Sequence, residues 1–261
     1  MSAGTYAPRP GAAPLSRMIT TQTALETRML LRNGEQLLLT VIIPTLLLVL
    51  FSAVDIVAVP TETMGAAGKS VDFLAPGILA LAVMSTAFTG QAIATGFERR
   101  YGVLKRLGAS PLPRWALMTA KTLSVLVTEV LQVVLVTVIA FALGWSPHGN
   151  PFAVLLLLVL GTAAFSGLGL LMAGTLKAEA TLAAANLVFL LLLVGGGVIV
   201  PLEKFPDAVQ SVLGLLPIAA LSDGLRDVLQ HGASMPWGDL GILAVWAVLG
   251  LGAAAKFFRW E

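Results

Sequence analysis

Few side chains in this sequence are equipped for chemistry, and those few stand apart. There is no cysteine, and the two histidines are His148 and His231. Thiol nucleophiles and Cys-based metal sites are thereby excluded, and neither histidine has a partner at H-E-x-x-H spacing. No catalytic residue and no metal ligand set is expected. Gly65-Ala66-Ala67-Gly68-Lys69-Ser70 approximates a phosphate loop. The G-x-x-x-x-G-K-[ST] pattern needs glycine where Thr63 stands, and no strand precedes it. Nucleotide binding by this chain alone is not expected. What remains is a set of polar groups in apolar surroundings: Gln91, Glu129, Gln132 and Asn186. An ionisable group such as Glu129 deep in an apolar stretch is a functional candidate; the plainer reading is a structural, hydrogen-bonded acid. Gln91 and Asn186 are candidates for a translocation path, or else join helices.

The segments around these residues are apolar. The 261 residues are 57% hydrophobic and only 11% charged, against about 25% charged in an average soluble domain. Mean hydropathy is +0.91. A formal charge of +2 is too small and too diluted for a nucleic-acid partner. Six continuous apolar segments run over about 36–54, 73–97, 117–143, 152–176, 180–200 and 238–255. Each approaches the ~20 residues that cross a bilayer as a helix. They do not alternate as barrel strands would. The expected fold class is all-α: a polytopic membrane protein with six transmembrane helices, an N-terminal amphipathic interfacial helix, a short charged helix in a cytoplasmic loop, and short outer re-entrant helices.

Thirteen of the sixteen Lys and Arg fall on one side of this layout; Lys69, Lys204 and Arg226 fall on the other. The excess marks the cytoplasmic face, so both termini are expected there, on a multi-pass protein of the cell membrane. Trp115 and Trp145 bracket the third span, and Trp237 and Trp260 the sixth, as interfacial anchors do.

Residues 1–14 are rich in Pro, Ala and Gly and lack the apolar region of a secretory signal. They read as a disordered cytoplasmic tail. Residues 15–35 carry an amphipathic helix, Leu15–Arg32. Leu15, Met18, Ile19, Leu25 and Met29 form its apolar stripe, and Arg17, Thr21, Arg28 and Arg32 face away. Such a helix lies in the headgroup plane with its arginines near anionic lipid.

Glu98–Lys121 is the most ordered charged stretch. It reads as a short helix broken by Gly108 and Ser110-Pro111 and restarted into the third span. Leu104 and Leu107 stand among Glu98, Arg99, Arg100, Lys105 and Arg106, as in a docking helix; scattered topology charges are the alternative. Outside, Pro201–Gly232 reads as two short helices opened at Pro206-Asp207 and Pro217. In the second, Ile218, Leu221, Leu225, Val228 and Leu229 oppose Asp223, Arg226 and Asp227.

The run Glu98-Arg99-Arg100-x-Gly102-x-Leu104-x-x-Leu107-x-x-Ser110-Pro111 resembles the cytoplasmic-loop signature of ABC-2 transporter permeases. Leu216-Pro217-Ile218 … Leu221-Ser222-Asp223-Gly224-Leu225-Arg226 is similar to that family's element before the last span. The resemblance covers nearly the whole chain after the first 14 residues, and is nearest to the daunorubicin-resistance-type exporters. It implies a membrane subunit without its own nucleotide site, working as a dimer (a homodimer is expected) with two separate cytoplasmic ATPase chains that hold ATP and Mg. Glu98–Pro111 would be the coupling helix and Leu15–Arg32, with Arg17, Arg28 and Arg32, the connecting helix. A path between two copies would be closed outside by the Pro217, Asp223 and Arg226 segment. Cargo would be a drug-like molecule or lipid, or else a lipid-linked glycan. A secondary transporter would want more intramembrane charges or a visible repeat, and a membrane enzyme would want clustered reactive groups.

Overall fold

The computed structural model describes residues 13–34, 42–53, 70–198 and 206–259. The expectations for the N-terminal tail, the Gly65–Lys69 loop, Pro201, Lys204 and Trp260 lie outside these residues. Among the described residues every regular element is a helix. In chain order they are α1 (Leu15–Arg32), α2 (Ile43–Ala53), α3 (Ser70–Arg100), α4 (Val103–Gly108), α5 (Arg114–Ala142), α6 (Pro151–Thr175), α7 (Ala178–Gly195), α8 (Asp207–Leu213), α9 (Pro217–Leu229) and α10 (Trp237–Phe257). Helices α3, α5, α6, α7 and α10 are long and apolar enough to cross a membrane. The apolar α2 covers the described part of the expected first span. The protein is an all-α polytopic membrane protein.

Burial decides which helix is central. The apolar stretch of α3 is 89% buried, against 22% for α7 and 28% for α10. Helix α3 is therefore wrapped by the others, while α7 and α10 keep open apolar faces suited to lipid or another chain. Pro76 lies inside α3, and Met84–Gly90 forms a π-helical turn in its middle. Such turns are commonly found at functional sites. The turn holds Ser85, Thr86, Thr89 and Gly90, so it is more polar than the Ile78–Val83 run before it. Helix α6 runs against α10 with the two backbones touching. A Cβ added at Gly167 would lie 2.5 Å from Leu251 N and 2.6 Å from Gly250 C. Small residues permit this approach, which supplies packing that a lipid solvent does not drive.

Two placements differ from expectation. Trp145 is buried, tilted against Phe141, not spread at an interface; its amide donates to Ala140, folding the end of α5 back over the core. In α1, Arg17, Arg28 and Arg32 are exposed as expected, but so are Leu15, Leu25 and Met29. The packed face holds Met18, Ile19 and the carboxylate of Glu26.

Candidate functional site

One buried ion cluster ties three helices together at the end of the bundle that carries the basic loop. Lys121 of α5 donates to Glu26 Oε2 of α1 at 3.0 Å and to Glu98 Oε2 of α3 at 2.7 Å. Gln22 Nε2 donates to the other Glu26 oxygen at 2.8 Å. The Lys121 side chain is 5% exposed. A charge this deep persists only if paired, and removing one partner of a buried pair costs about 3–5 kcal/mol. Glu98, expected in the coupling helix, thus turns into the bundle to face Lys121. Glu26 was not a candidate from sequence: it sits beside exposed Leu25 in a stripe pattern that reads as the polar side.

The neighbouring arginines are also occupied. Arg99 donates to the Leu176 carbonyl, and Arg100 pairs with Glu179. Arg114 donates to the Phe258 carbonyl at 3.2 Å, and Arg259 N donates to Gly174 O at 3.2 Å. These bonds join the ends of α3, α5, α6, α7 and α10 into one plate.

The expected single helix over Glu98–Pro111 is divided. Gly102 has φ +72°, a left-handed conformation that favours glycine. It ends the α3 helix and opens the six-residue α4. Leu104, expected to anchor in a partner's groove, is fully buried with Leu112, Ala116, Leu117, Leu170 and Phe258, and Met18 and Ile19 of α1 pack on the same cluster. The reason is helical register: it faces the bundle, while Lys105 and Arg106 face out. Leu107 is half-buried on the same cluster. Ser110 Oγ donates to Leu107 O at 2.5 Å and closes the helix. The outward surface consists of Tyr101, which is 70% exposed, together with Val103, Lys105, Arg106 and Pro111. Leu104 holds it from beneath against residues of α1, α5, α6 and the end of α10.

At the opposite end, Pro217 starts α9 at its first turn, as expected. The stripe Ile218, Leu221, Leu225 and Val228 is buried. Arg226, expected on the open side, is 6% exposed. Its Nη2 donates to Val198 O at 2.9 Å, its Nη1 to Asp223 Oδ1 at 3.0 Å, and its guanidinium lies 4.1 Å from the Phe73 ring centroid. These contacts compensate its burial and fasten α9 to α3. Trp246 Nε1 of α10 donates to Leu215 O at 2.9 Å just before α9.

The three path candidates do not share one surface. Glu129 is buried and accepts from the Thr162 hydroxyl of α6, while its Oε1 has no partner among the described residues. Gln91 is buried near Lys121 and lines a separate cavity. Asn186 is exposed and donates to Leu182 O of its own helix at 2.9 Å. Gln132 accepts from Thr86 of the π turn at 2.9 Å and so joins α5 to α3.

Comparison with known proteins agrees with this architecture. Residues 12–256 match the family model described as ABC-2 family transporter protein. YvfS of Bacillus subtilis (strain 168), a protein described as a transport permease, is 24% identical over 236 residues, spanning 87% of this chain and 91% of YvfS. The linearmycin resistance permease protein LnrN of the same organism is 30% identical over 201 residues. That match spans 75% of this chain and about half of LnrN, 51%. With the family model running from the start of α1 to the last turn of α10, the chain belongs to the ABC-2 family of transporter proteins.

Proposed function

We propose that this chain is the membrane subunit of an ATP-driven exporter, and that it receives work from separate ATPase chains through the α4 loop. The carrying observation is the union at one end of the bundle. An outward surface of Tyr101, Val103, Lys105 and Arg106 is stapled by Leu104 to helices that Lys121 clamps together. ABC-2 permeases generally work with ABC ATPase partners. In this reading the loop end and both termini are cytoplasmic, as the distribution of Lys and Arg supports. Arg226 and α9 close the outer end, and two copies meet through the open apolar faces of the outer helices. The name of LnrN ties that relative to linearmycin resistance; the apolar character of this chain supports a hydrophobic or amphipathic cargo. The test is reconstitution. The purified chain alone should not hydrolyse ATP, and with its ATPase in proteoliposomes it should move cargo outward. Robust hydrolysis by the chain alone, free of contaminating ATPase, would refute the subunit reading.

A further inference from the structure

A cavity of about 120 Å³ opens beside the ion cluster, between α1, α3 and α5. Its polar wall includes Glu26, Glu98, Lys121, Gln91 and Thr95, with Asn33, Thr86 and Ser124 beside them. Gln91 is only 5% exposed, yet among the described residues neither its amide N nor its amide O has a partner, and the Thr95 hydroxyl has none either. Buried polar groups left in this state are costly, and their persistence calls for an occupant. The rest of the wall is apolar, with Met29 and Leu30 of α1 and Val125 of α5.

The lining chemistry selects the occupant. Two carboxylates face one ammonium, so the wall carries a formal −1 and is short of positive charge. The available groups include three acceptors, the Gln91 amide O, the Thr95 hydroxyl O and the Glu98 oxygen that Lys121 does not take, and one donor, the Gln91 amide N, which an ammonium head would leave to a water or to an acceptor farther along the amphiphile. A primary ammonium has three N–H donors and no acceptor. The apolar side would hold the first methylenes of its chain. We infer that this cavity binds the primary-ammonium head of an amphiphile, whether a phospholipid or the cargo itself. The inference rests on the exporter reading and narrows its substrate class.

The test uses the full-length chain with its ATPase in phosphatidylcholine nanodiscs, and equilibrium binding of radiolabelled dodecylamine. Dodecylamine should bind at least about tenfold more tightly than dodecyltrimethylammonium, which has the charge but no N–H donor. Gln91→Leu and Thr95→Val should each weaken dodecylamine binding by about tenfold and erase that preference. The second variant carries the test if the first does not fold. Competition by phosphatidylethanolamine assigns the site to a lipid headgroup; ATP-dependent export of dodecylamine without such competition assigns it to cargo. Equal binding of the two amphiphiles, or unchanged binding in both variants, would overturn the proposal and leave an occupant of water only. That failure would leave ATP-coupled transport untouched. Failure of the exporter reading would instead appear as absent coupling with dodecylamine binding retained.

Discussion

Replacing Lys121 by Met removes one charge and little volume. It leaves Glu26 and Glu98 buried, facing each other where an ammonium stood 3.0 and 2.7 Å away. Stranding the partners of a buried ion pair costs about 3–5 kcal/mol. For a soluble domain of this size, one kcal/mol moves Tm by about 2–4 °C, so the drop should be roughly 6–20 °C. Replacing the whole cluster with groups of similar shape should behave differently, since a buried ion set exchanged for neutral residues is often close to neutral. Lys121→Met combined with Glu26→Gln and Glu98→Gln should therefore recover most of the lost Tm. The assay is thermal unfolding of the purified protein in one detergent, read by retained monodispersity, for the single, double and triple variants as a cycle. A Lys121→Met protein within 1 °C of the parent, or a triple variant as weak as the single one, would refute the clamp. In the second case the loss would come from packing and not from charge.

Three further outcomes follow from separate parts of the fold. Gly167→Ala puts a methyl 2.5 Å from Leu251 N and should cost about 1–3 kcal/mol by forcing α6 from α10, whereas Gly252→Ala, with nothing within 4 Å, should leave Tm unchanged. Arg226→Lys keeps the charge but loses the planar fork that reaches Val198 O and Asp223 together; it should lower stability by about 1.5–3 kcal/mol, and an unchanged Tm would show that α9 is held without it. A cysteine at exposed Ser234 should react with an impermeant thiol reagent added to intact cells, and one at Ser110 should not; labelling of Ser110 would reverse the orientation.

What the sequence disclosed, and what it did not, divides along physical lines. The long helices were legible because an apolar run near bilayer length has few other solutions. The stop at Gly108 and the start at Pro217 were legible because backbone chemistry acts locally. Partners across the fold were not. Lys121 stood out as a charge near the start of a span, yet its acceptors lie 95 and 23 residues away, and nothing in helical periodicity selects them. Glu26 was missed because its helix exposes Leu15, Leu25 and Leu31, so polarity no longer marks the outside. The same inversion hid the inward turn of Arg226, whose burial depends on a carbonyl and a ring from other helices. Leu104, expected as an anchor for a partner's groove, instead packs into the bundle, and which way a leucine on a short loop helix faces is not written in its spacing.

The direct test of the central claim is a residue-resolved crosslink between the α4 loop and the ATPase. A photoreactive amino acid is placed in turn at Arg106, Leu104 and Ser234 of the full-length chain, and the complex is irradiated in the membrane. Arg106 faces outward on the loop, Leu104 is buried beneath it, and Ser234 lies at the opposite end of the bundle. Position 106 should capture the ATPase chain, and positions 104 and 234 should not. Capture of the ATPase from position 234, or none from position 106 in an assembly that hydrolyses ATP and transports cargo, would contradict coupling through this loop.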